Sequence, residues 1–389
     1  MTQLFLPGGW RRVAAFVVLC VACVGGAILY LLNALDRVNL AGKPMPAPVS
    51  VFPPDSKAPS AESGARSPKA EQSVPLPKRA DATAPERKLA TASSAKKPGP
   101  APSLLFRKTS LGETYGQMGQ TNLLAPDQLT VVSPLRCERL HFAAGRGVCL
   151  TAERRMLATY GAVVFDRKFQ PRHQLRLSGV PSRARTDPDG RHAAITVFAA
   201  GHSYADTSFS TLTTFVDLDS GLTMVENMEQ FAVAREGEPF QAVDFNFWGV
   251  TFARGGNRFY ATLATGGRIY LIEGDLAVRR AKVVRAGIEC PALSPDNTRI
   301  AFKKRTGGVM SAVSWRISVL DLRTMREWEL AETRSVDDQV EWLDNTSILY
   351  SLSAATSGTP VTNVWTVAAD GSGAPRLLVP GAYSPVVVH

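Results

Sequence analysis

Hydrophobic and polar positions after residue 104 follow a short alternating pattern, which returns along the chain after each tight turn. In one copy, Ser294 to Phe302, a Ser-Pro-Asp-Asn turn precedes an alternating strand, and Asp187 to Phe198 has the same form. Three further copies start at Ser133, Ala253 and Trp342, so the copies are spaced at roughly 45 to 65 residues. Because Pro presets φ and Gly or Asn accepts a positive φ, these turns favour hairpins of antiparallel strands.

Each copy is followed by a second pair of short strands, for example Arg316 to Leu322 and then Glu327 to Leu330. Four short antiparallel strands in about 40 to 50 residues are typical of a β-propeller blade. No segment after 104 shows a long helical period, so the predicted fold class of residues 104–389 is all-β.

Five such blades occupy roughly 131–381 and leave unpaired segments at both ends, 104–106 and 115–124 before them and 382–389 after them. Joining these segments makes a sixth blade and removes the exposed sheet edges. The sequence therefore predicts a six-bladed β-propeller closed by its N- and C-terminal strands. A seven-bladed ring is the alternative.

At these repeats the sequence resembles the TolB-like (WD40-like) bacterial propellers, which carry a Ser-Pro-Asp-Gly-x-x-Ile-Ala-Phe signature once per blade. The resemblance covers about 131–389 and implies the fold. It leaves function open, because related repeats occur in periplasmic translocation proteins, in peptidase propeller domains and in sugar-facing enzymes. A small α/β domain precedes the propeller in the Tol system, whereas in this chain an apolar segment and a proline-rich segment precede it.

The apolar segment is the run 13–35, which contains no charged residue. A helix of this length would span roughly 30 Å, the thickness of the hydrocarbon core. Arg11 and Arg12 flank its N-terminal side, so the positive-inside rule places residues 1–12 in the cytoplasm and the rest of the chain outside. We therefore expect a single-pass signal anchor in a bacterial cytoplasmic membrane. A cleaved signal peptide is the alternative.

Residues 36–103 form the predicted linker, and 44–103 contain half of the 26 prolines. With Ala, Ser and Lys between the prolines, such a segment cannot bury enough apolar surface to order itself, so we expect it to be disordered. The net charge of +10 belongs mostly to this N-terminal part, since residues 104–389 carry 31 basic and 28 acidic residues. We therefore expect no nucleic-acid partner, and we expect the linker to contact anionic lipid or wall polymer.

The cysteines predict a disulfide, whereas the histidines predict no metal site. Cys137 and Cys149 flank a predicted hairpin turn at 143–147, and in an oxidising compartment we expect them to form a disulfide between adjacent strands. The five histidines show no paired metal-ligand spacing, so the sequence predicts no metal or other cofactor.

Loops that lead into the innermost strands of a propeller gather around the central channel, and there we place the candidate binding surface. Its predicted residues mix arginines, carboxylates and one tryptophan: Arg183, Arg185, Asp244, Asn246, Trp248, Glu289, Arg334, Asp337 and Asp338. Such a ring could hold a peptide or a small polar ligand. Alternatively, its Arg–Asp pairs simply join neighbouring blades.

These features predict a non-enzymatic propeller that binds an unidentified protein, peptide or envelope component. The alternative is a propeller hydrolase or carbohydrate-binding protein with a channel metal, for which Asp244, Asn246, Glu289 and Asp337 are the candidate ligands. A purely structural head is a third interpretation.

Overall fold

The computed structural model describes Gly25 and residues 102–388, apart from 155, 200–209, 308–312 and 355–360. The predicted anchor 13–35, Gly25 excepted, and the predicted linker, residues 102 and 103 excepted, lie outside the described residues. In the described part of the chain, no helix has both the length and the apolar character needed to cross a membrane. The strands all belong to a unit formed by residues 91–389.

Six sheets form the six blades of the propeller. From the innermost strand outward, blade 1 consists of β26 (Ala382–Val388), β1 (Ser103–Lys108), β2 (Gln117–Asn122) and β3 (Ala125–Arg136), blade 2 of β4 (Arg139–Ala143), β5 (Arg146–Arg154), β6 (Ala158–Asp166) and β7 (Pro171–Leu177), and blade 3 of β8 (Val180–Thr186), β9 (His192–Phe198), β10 (Thr211–Asp217) and β11 (Thr223–Val225).

The second half of the ring has the same plan, with one enlarged blade. Blade 4 consists of β14 (Asn246–Phe252), β15 (Arg258–Thr265), β16 (Arg268–Asp275) and β17 (Arg280–Ala286), extended by β12 (Ala232–Arg235) and β13 (Glu238–Phe240), blade 5 of β18 (Glu289–Leu293), β19 (Arg299–Thr306), β20 (Ser314–Asp321) and β21 (Glu327–Glu329), and blade 6 of β22 (Glu341–Trp342), β23 (Ser347–Ser353), β24 (Thr362–Ala368) and β25 (Arg376–Val379).

The innermost strands contact one another in a closed ring in the order β26, β4, β8, β14, β18 and β22. Blade 1 closes this ring, because the C-terminal β26 pairs with the N-terminal β1 through Leu104 opposite Val387 and Leu105 opposite Val386. The predicted six-bladed propeller closed by its terminal strands is therefore confirmed.

The repeated turns form because their polar side chains bind their own backbone. At the start of blade 5, Ser294 Oγ lies 2.5 Å from Asp296 Oδ1, and the Asp296 carboxylate also accepts from the Thr298 amide at 3.0 Å. Asn297 takes a φ of 61°, the left-handed conformation that Asn tolerates. The same turn therefore recurs wherever the sequence supplies Pro, Asp and Asn or Gly at these positions.

A segment between blades 3 and 4 was not predicted from the sequence. A 3-10 helix, Met228–Gln230, leads into the hairpin of β12 and β13, and β12 joins blade 4 by parallel pairing with β17. The segment helps to cover a phenylalanine cluster between the two blades, in which Phe231 lies 5.8 Å from Phe259 and Phe215 lies 5.1 Å from Phe259. Burial of these rings is a main source of the cohesion between blades 3 and 4.

Cys137 and Cys149 form a disulfide with a Cα–Cα distance of 5.2 Å. Cys149 lies on β5, whereas Cys137 lies in the turn between β3 and β4, so the bond joins this turn to blade 2 and is not strictly a bridge between strands. It thereby fixes the point where the chain passes from the closing blade into the next.

Replacing both cysteines by alanine is expected to lower the free energy of unfolding by about 3 kcal/mol, because the bond restricts the unfolded chain. Urea unfolding of the purified protein measures this change. A reducing agent should destabilise the parent protein by a similar amount and leave the double variant unaffected. Equal stability of the parent and the double variant would show that the bond contributes nothing.

Candidate functional site

The innermost strands place alternate polar side chains in the central channel. On β4 these are Arg139 and His141, and on the neighbouring β8 they are Arg183 and Arg185. Because side chains alternate across a strand, residues two apart share one face. The result is two layers of polar side chains at different depths.

The first layer surrounds Asp338, which is only 4% exposed. Arg139 donates to its Oδ1 at 2.7 Å, and the Nη2 of Arg183 lies 4.0 Å from the same oxygen. The Arg139 guanidinium also lies over the ring of Tyr383, 4.4 Å from its centre. This layer therefore links blades 2 and 3 and the start of blade 6 with Tyr383 of the closing strand.

Lys303 is the buried cation beside this layer, with an exposed fraction of 1%. Its Nζ lies 2.8 Å from Glu289 Oε1, contacts the Asp337 carboxylate and stands 4.8 Å from the centre of the Trp315 ring. Desolvation alone would lower the pKa of Lys303, but the neighbouring negative charges outweigh it and raise the pKa above its usual value. Lys303 is therefore charged at neutral pH.

The second layer consists of Arg185, Glu341 and His141, which come from three different blades. Arg185 contacts the Glu341 carboxylate and donates to the carbonyl of Val340 at 3.0 Å. His141 Nδ1 accepts from the Thr186 amide at 3.0 Å, and its Nε2 lies 3.1 Å from Arg185 Nη1 and 3.7 Å from Glu341 Oε2.

Burial and the charge of Arg185 lower the pKa of His141, although Glu341 opposes the shift. Desolvation would raise the pKa of Glu341, but Arg185 and His141 outweigh it and lower the pKa. At neutral pH, this layer therefore combines a neutral imidazole with a compensated Arg–Glu pair.

Gln339 crosses the channel between the two layers. Its Nε2 donates to the carbonyls of Val250 on β14 (3.0 Å) and Pro291 on β18 (2.8 Å). Between these side chains a cavity of about 20 Å³ remains, which has room for about one water molecule. The two layers and Gln339 therefore plug the channel.

Four of the predicted site residues lie outside this network. Asp244 is exposed and caps a turn of blade 4 by accepting from Thr265 Oγ1 (2.5 Å) and the Gly266 amide (2.7 Å). Asn246 Oδ1 accepts from the amide of Thr211 at 2.9 Å, which joins blades 3 and 4.

Arg334, the third, is bound by Glu332 at 2.6 Å and stacks on Trp365, 4.0 Å from its ring centre. Arg334 thereby joins the segment between blades 5 and 6 to β24 of blade 6. Trp248 lies on β14 and is buried with an exposed fraction of 1%.

The proposed metal ligands do not form a set. Glu289 and Asp337 share Lys303, whereas Asp244 is bound to the turn at Thr265. Among the residues that the structure describes, no three His, Cys, Asp or Glu side chains are grouped so that they could hold a metal ion.

A large cavity opens at the end of the channel next to the layer of Arg185, Glu341 and His141. Here the innermost strands end and the repeated turns begin. We call it the funnel, and its volume is about 1030 Å³. Its floor is the layer of Arg185, Glu341 and His141. Its walls combine polar side chains such as Gln120, Thr251 and Asn297 with the apolar side chains of Phe142, Phe169, Phe252, Leu293, Trp342, Val387 and Val388, while Arg167 and Arg254 stand at its rim.

Phe169 reaches the funnel because of its backbone conformation. Its φ is 59°, and the turn is closed by a hydrogen bond of 2.8 Å from the Phe169 amide to the Asp166 carbonyl. The ring packs against Phe142 at 5.9 Å and Phe165 at 6.1 Å. Sequence reasoning missed the funnel residues, although apolar residues at the ends of innermost strands, such as Phe142, Phe252 and Leu293, were a usable signal.

The fold and the plugged channel define the class of the described chain as a six-bladed β-propeller with an open funnel at one end of its channel. No protein-family model and no curated protein matches the sequence. Solved structures do match, and they confirm the resemblance to TolB at the level of the fold.

TolB from Acinetobacter baumannii is similar with a TM-score of 0.50 and 14% identity, over 74% of this chain and 66% of that chain. This chain thus spans slightly less than two thirds of that TolB. A chain of a nidogen/laminin complex is similar with a TM-score of 0.51 and 11% identity, over 74% of this chain and 99% of that chain. An oligogalacturonate lyase in complex with manganese reaches a TM-score of 0.42 at 11% identity, over 66% and 72% of the two chains. These identities indicate a shared fold only.

Proposed function

We propose that this protein is a non-enzymatic binding module whose propeller captures a protein or peptide partner in the funnel. The observation that carries the proposal is a cavity of about 1030 Å³ whose walls combine apolar and polar side chains and whose floor is the polar layer of Arg185, Glu341 and His141. Such a cavity matches the size and lining of ligand-binding clefts, in which apolar walls supply affinity and a few polar groups fix orientation. The nidogen/laminin structure, as its name states, is a complex between proteins, which agrees with this use of the fold.

The proposal includes the placement of the propeller in the cell. Residues 13–35 would anchor the chain in the cytoplasmic membrane with residues 1–12 inside, and residues 36–103 would hold the propeller outside as a flexible linker. The disulfide Cys137–Cys149 supports this placement, because disulfides persist in oxidising, extracytoplasmic compartments.

A photo-crosslinking amino acid placed at Ala144, which lines the funnel, tests capture by the full chain in its own membrane. A matched probe at Ala374, in an exposed turn of blade 6, serves as the control. We expect a discrete protein adduct at Ala144 and none at Ala374. The purified partner should bind the detergent-solubilised protein, and Val388→Arg, which puts a bulky charge on the funnel wall, should weaken binding at least about tenfold.

The same adducts at both positions, or unchanged partner affinity in the Val388→Arg variant, would contradict the proposal. For the membrane placement, a reporter fused after residue 103 should report an extracytoplasmic location. A cytoplasmic signal would contradict that part alone.

A further inference from the structure

A second cavity, of about 620 Å³, lies beside the funnel on the same side of the propeller. We call it the blade 2–3 groove, because it is lined by β6, β7 and the turns next to β5 and β10. Its lining contains Arg146, Arg167, Arg172, His173, Asp166 and Asp219. Ala144, Gly145 and Arg167 line both cavities, so the groove and the funnel adjoin at these three residues, which we call the ridge.

The ridge is a fixed part of the structure. The Asp166 carboxylate accepts from the amides of Lys168 (2.9 Å) and Gln170 (3.1 Å), which holds the turn that carries Arg167. The Arg167 guanidinium lies beside the Gly145 turn, since its Nε would stand 3.4 Å from a Cβ at position 145. The position of Arg167 on the backbone is therefore fixed by the turn that Asp166 holds.

The positive and negative charges that line the funnel and the blade 2–3 groove do not cancel. Arg146 is paired with Asp219, and Arg185 is paired with Glu341. Arg172 reaches Asp166 only at 4.0 Å.

Arg167 and Arg254 are exposed, and neither makes an ion pair within the described part of the chain. The rim of the funnel thus presents positive charge beside apolar side chains.

From this arrangement we infer that the ligand is an extended acidic peptide segment, which places an aromatic or aliphatic side chain in the funnel and its Asp or Glu side chains along Arg167 and Arg254. The inference rests on the proposed function, because it specifies the partner of the same cavity. An anionic polymer without apolar groups fits less well, since it would leave the partly exposed apolar side chains of the funnel, Phe169, Leu293 and Val387, without a contact. Rim charges of this kind set the association rate and the choice of partner.

Three fluorescent probes test the inference on the full chain in detergent. One is a short peptide with a central Trp-Phe pair flanked by Asp residues, the second has Lys in place of Asp, and the third is polyglutamate. Fluorescence anisotropy should show that the Asp-flanked peptide binds at least about tenfold more tightly than the other two, and that its affinity falls as salt is raised.

Arg167→Glu and Arg254→Glu, made separately, should each weaken binding of the Asp-flanked peptide about tenfold or more. Each should also reduce the ratio between the affinities of the Asp-flanked and the Lys-flanked peptide. Arg376→Glu is the matched control, because Arg376 is an exposed arginine on the outer strand of blade 6. It should change the affinity less than twofold. The melting temperature of each variant shows whether it is folded.

Several results would overturn the inference. Equal binding of the Asp- and Lys-flanked peptides removes the role of charge, equal binding of polyglutamate assigns the surface to polyanions, and failure of every probe to bind removes the acidic peptide as the ligand class. If Arg167→Glu and Arg254→Glu have no effect while Val388→Arg weakens both peptides, the funnel still binds peptides. In that case the proposed function stands and only the acidic specificity fails.

Discussion

Replacing Glu341 with glutamine is expected to lower the free energy of unfolding by about 3 kcal/mol, or the melting temperature by roughly 6 to 12 °C. The reason is that Arg185, which is only 9% exposed, would lose the carboxylate that compensates its charge. Removing one member of a buried ion pair costs more than the pair contributes, because an uncompensated charge stays buried. Urea unfolding followed by circular dichroism measures the change.

The effect should also depend on pH with a defined sign. The pKa of Glu341 is lowered in the folded state, so its contribution is present above the ordinary value of 4.5 and is lost as the pH falls through the folded pKa. The difference between the parent and the Glu341→Gln variant should therefore be constant between about pH 7 and pH 5 and should shrink below about pH 4.

Glu329→Gln is the matched control for this substitution. Glu329 pairs with Arg316 at 2.7 Å, but its side chain is 47% exposed, so its loss should cost less than about 1 kcal/mol. If the two variants were equally stable, the Arg185–Glu341 pair would be no more important than a surface pair, and the plug would not depend on it.

Replacing Lys303 with methionine is expected to destabilise the propeller by about 3 kcal/mol. Methionine fills a similar volume, so the change mainly removes the cation that Glu289 and Asp337 share. Glu289 is only 6% exposed, and the neutral donor Trp315 Nε1, at 3.3 Å, would not compensate its charge. The free energy of unfolding at pH 7 measures the loss.

The adjacent residue provides the control. Lys304 lies on the opposite face of β19, is 46% exposed and pairs with Glu327, so Lys304→Met should cost less than about 1 kcal/mol. Adding Glu289→Gln to the Lys303→Met variant should restore part of the lost stability, because the buried carboxylate is then neutral. No restoration in the double variant would show that Lys303 acts through packing and not through its charge.

The blade architecture could be predicted because its signals are local. The turn at Ser294 to Thr298 and the strand after it lie within thirteen residues, and the closing blade follows from the segments left unpaired at 104–106 and 382–389. The hairpin of β12 and β13 carries no such signal. Its strands have four and three residues, and β12 finds its partner β17 about fifty residues later, so no periodicity of the sequence marks the pairing.

The candidate site was predicted only in part. Arg183, Arg185, Glu289, Asp337 and Asp338 lie in or beside the channel network, because strand alternation and the order of blades determine which side chains face inward.

Which end of the channel stays open was not predictable, since it depends on side chains that cross between blades. Gln339 donates hydrogen bonds to β14 and β18. Phe169 reaches the funnel through a positive φ, which the sequence around it does not predict.

The closing blade also determines how the protein would carry tension. A pull on the chain before Ser103 loads β1 along its length, and β1 is hydrogen-bonded to β26 on one side and to β2 on the other. The hydrogen bonds on both sides of β1 are then loaded together in shear. An edge strand pulled away from its sheet would instead lose its hydrogen bonds one at a time. Because Val387 and Val388 of β26 also line the funnel, a ligand held there would pass its load to β1 through the neighbouring strand.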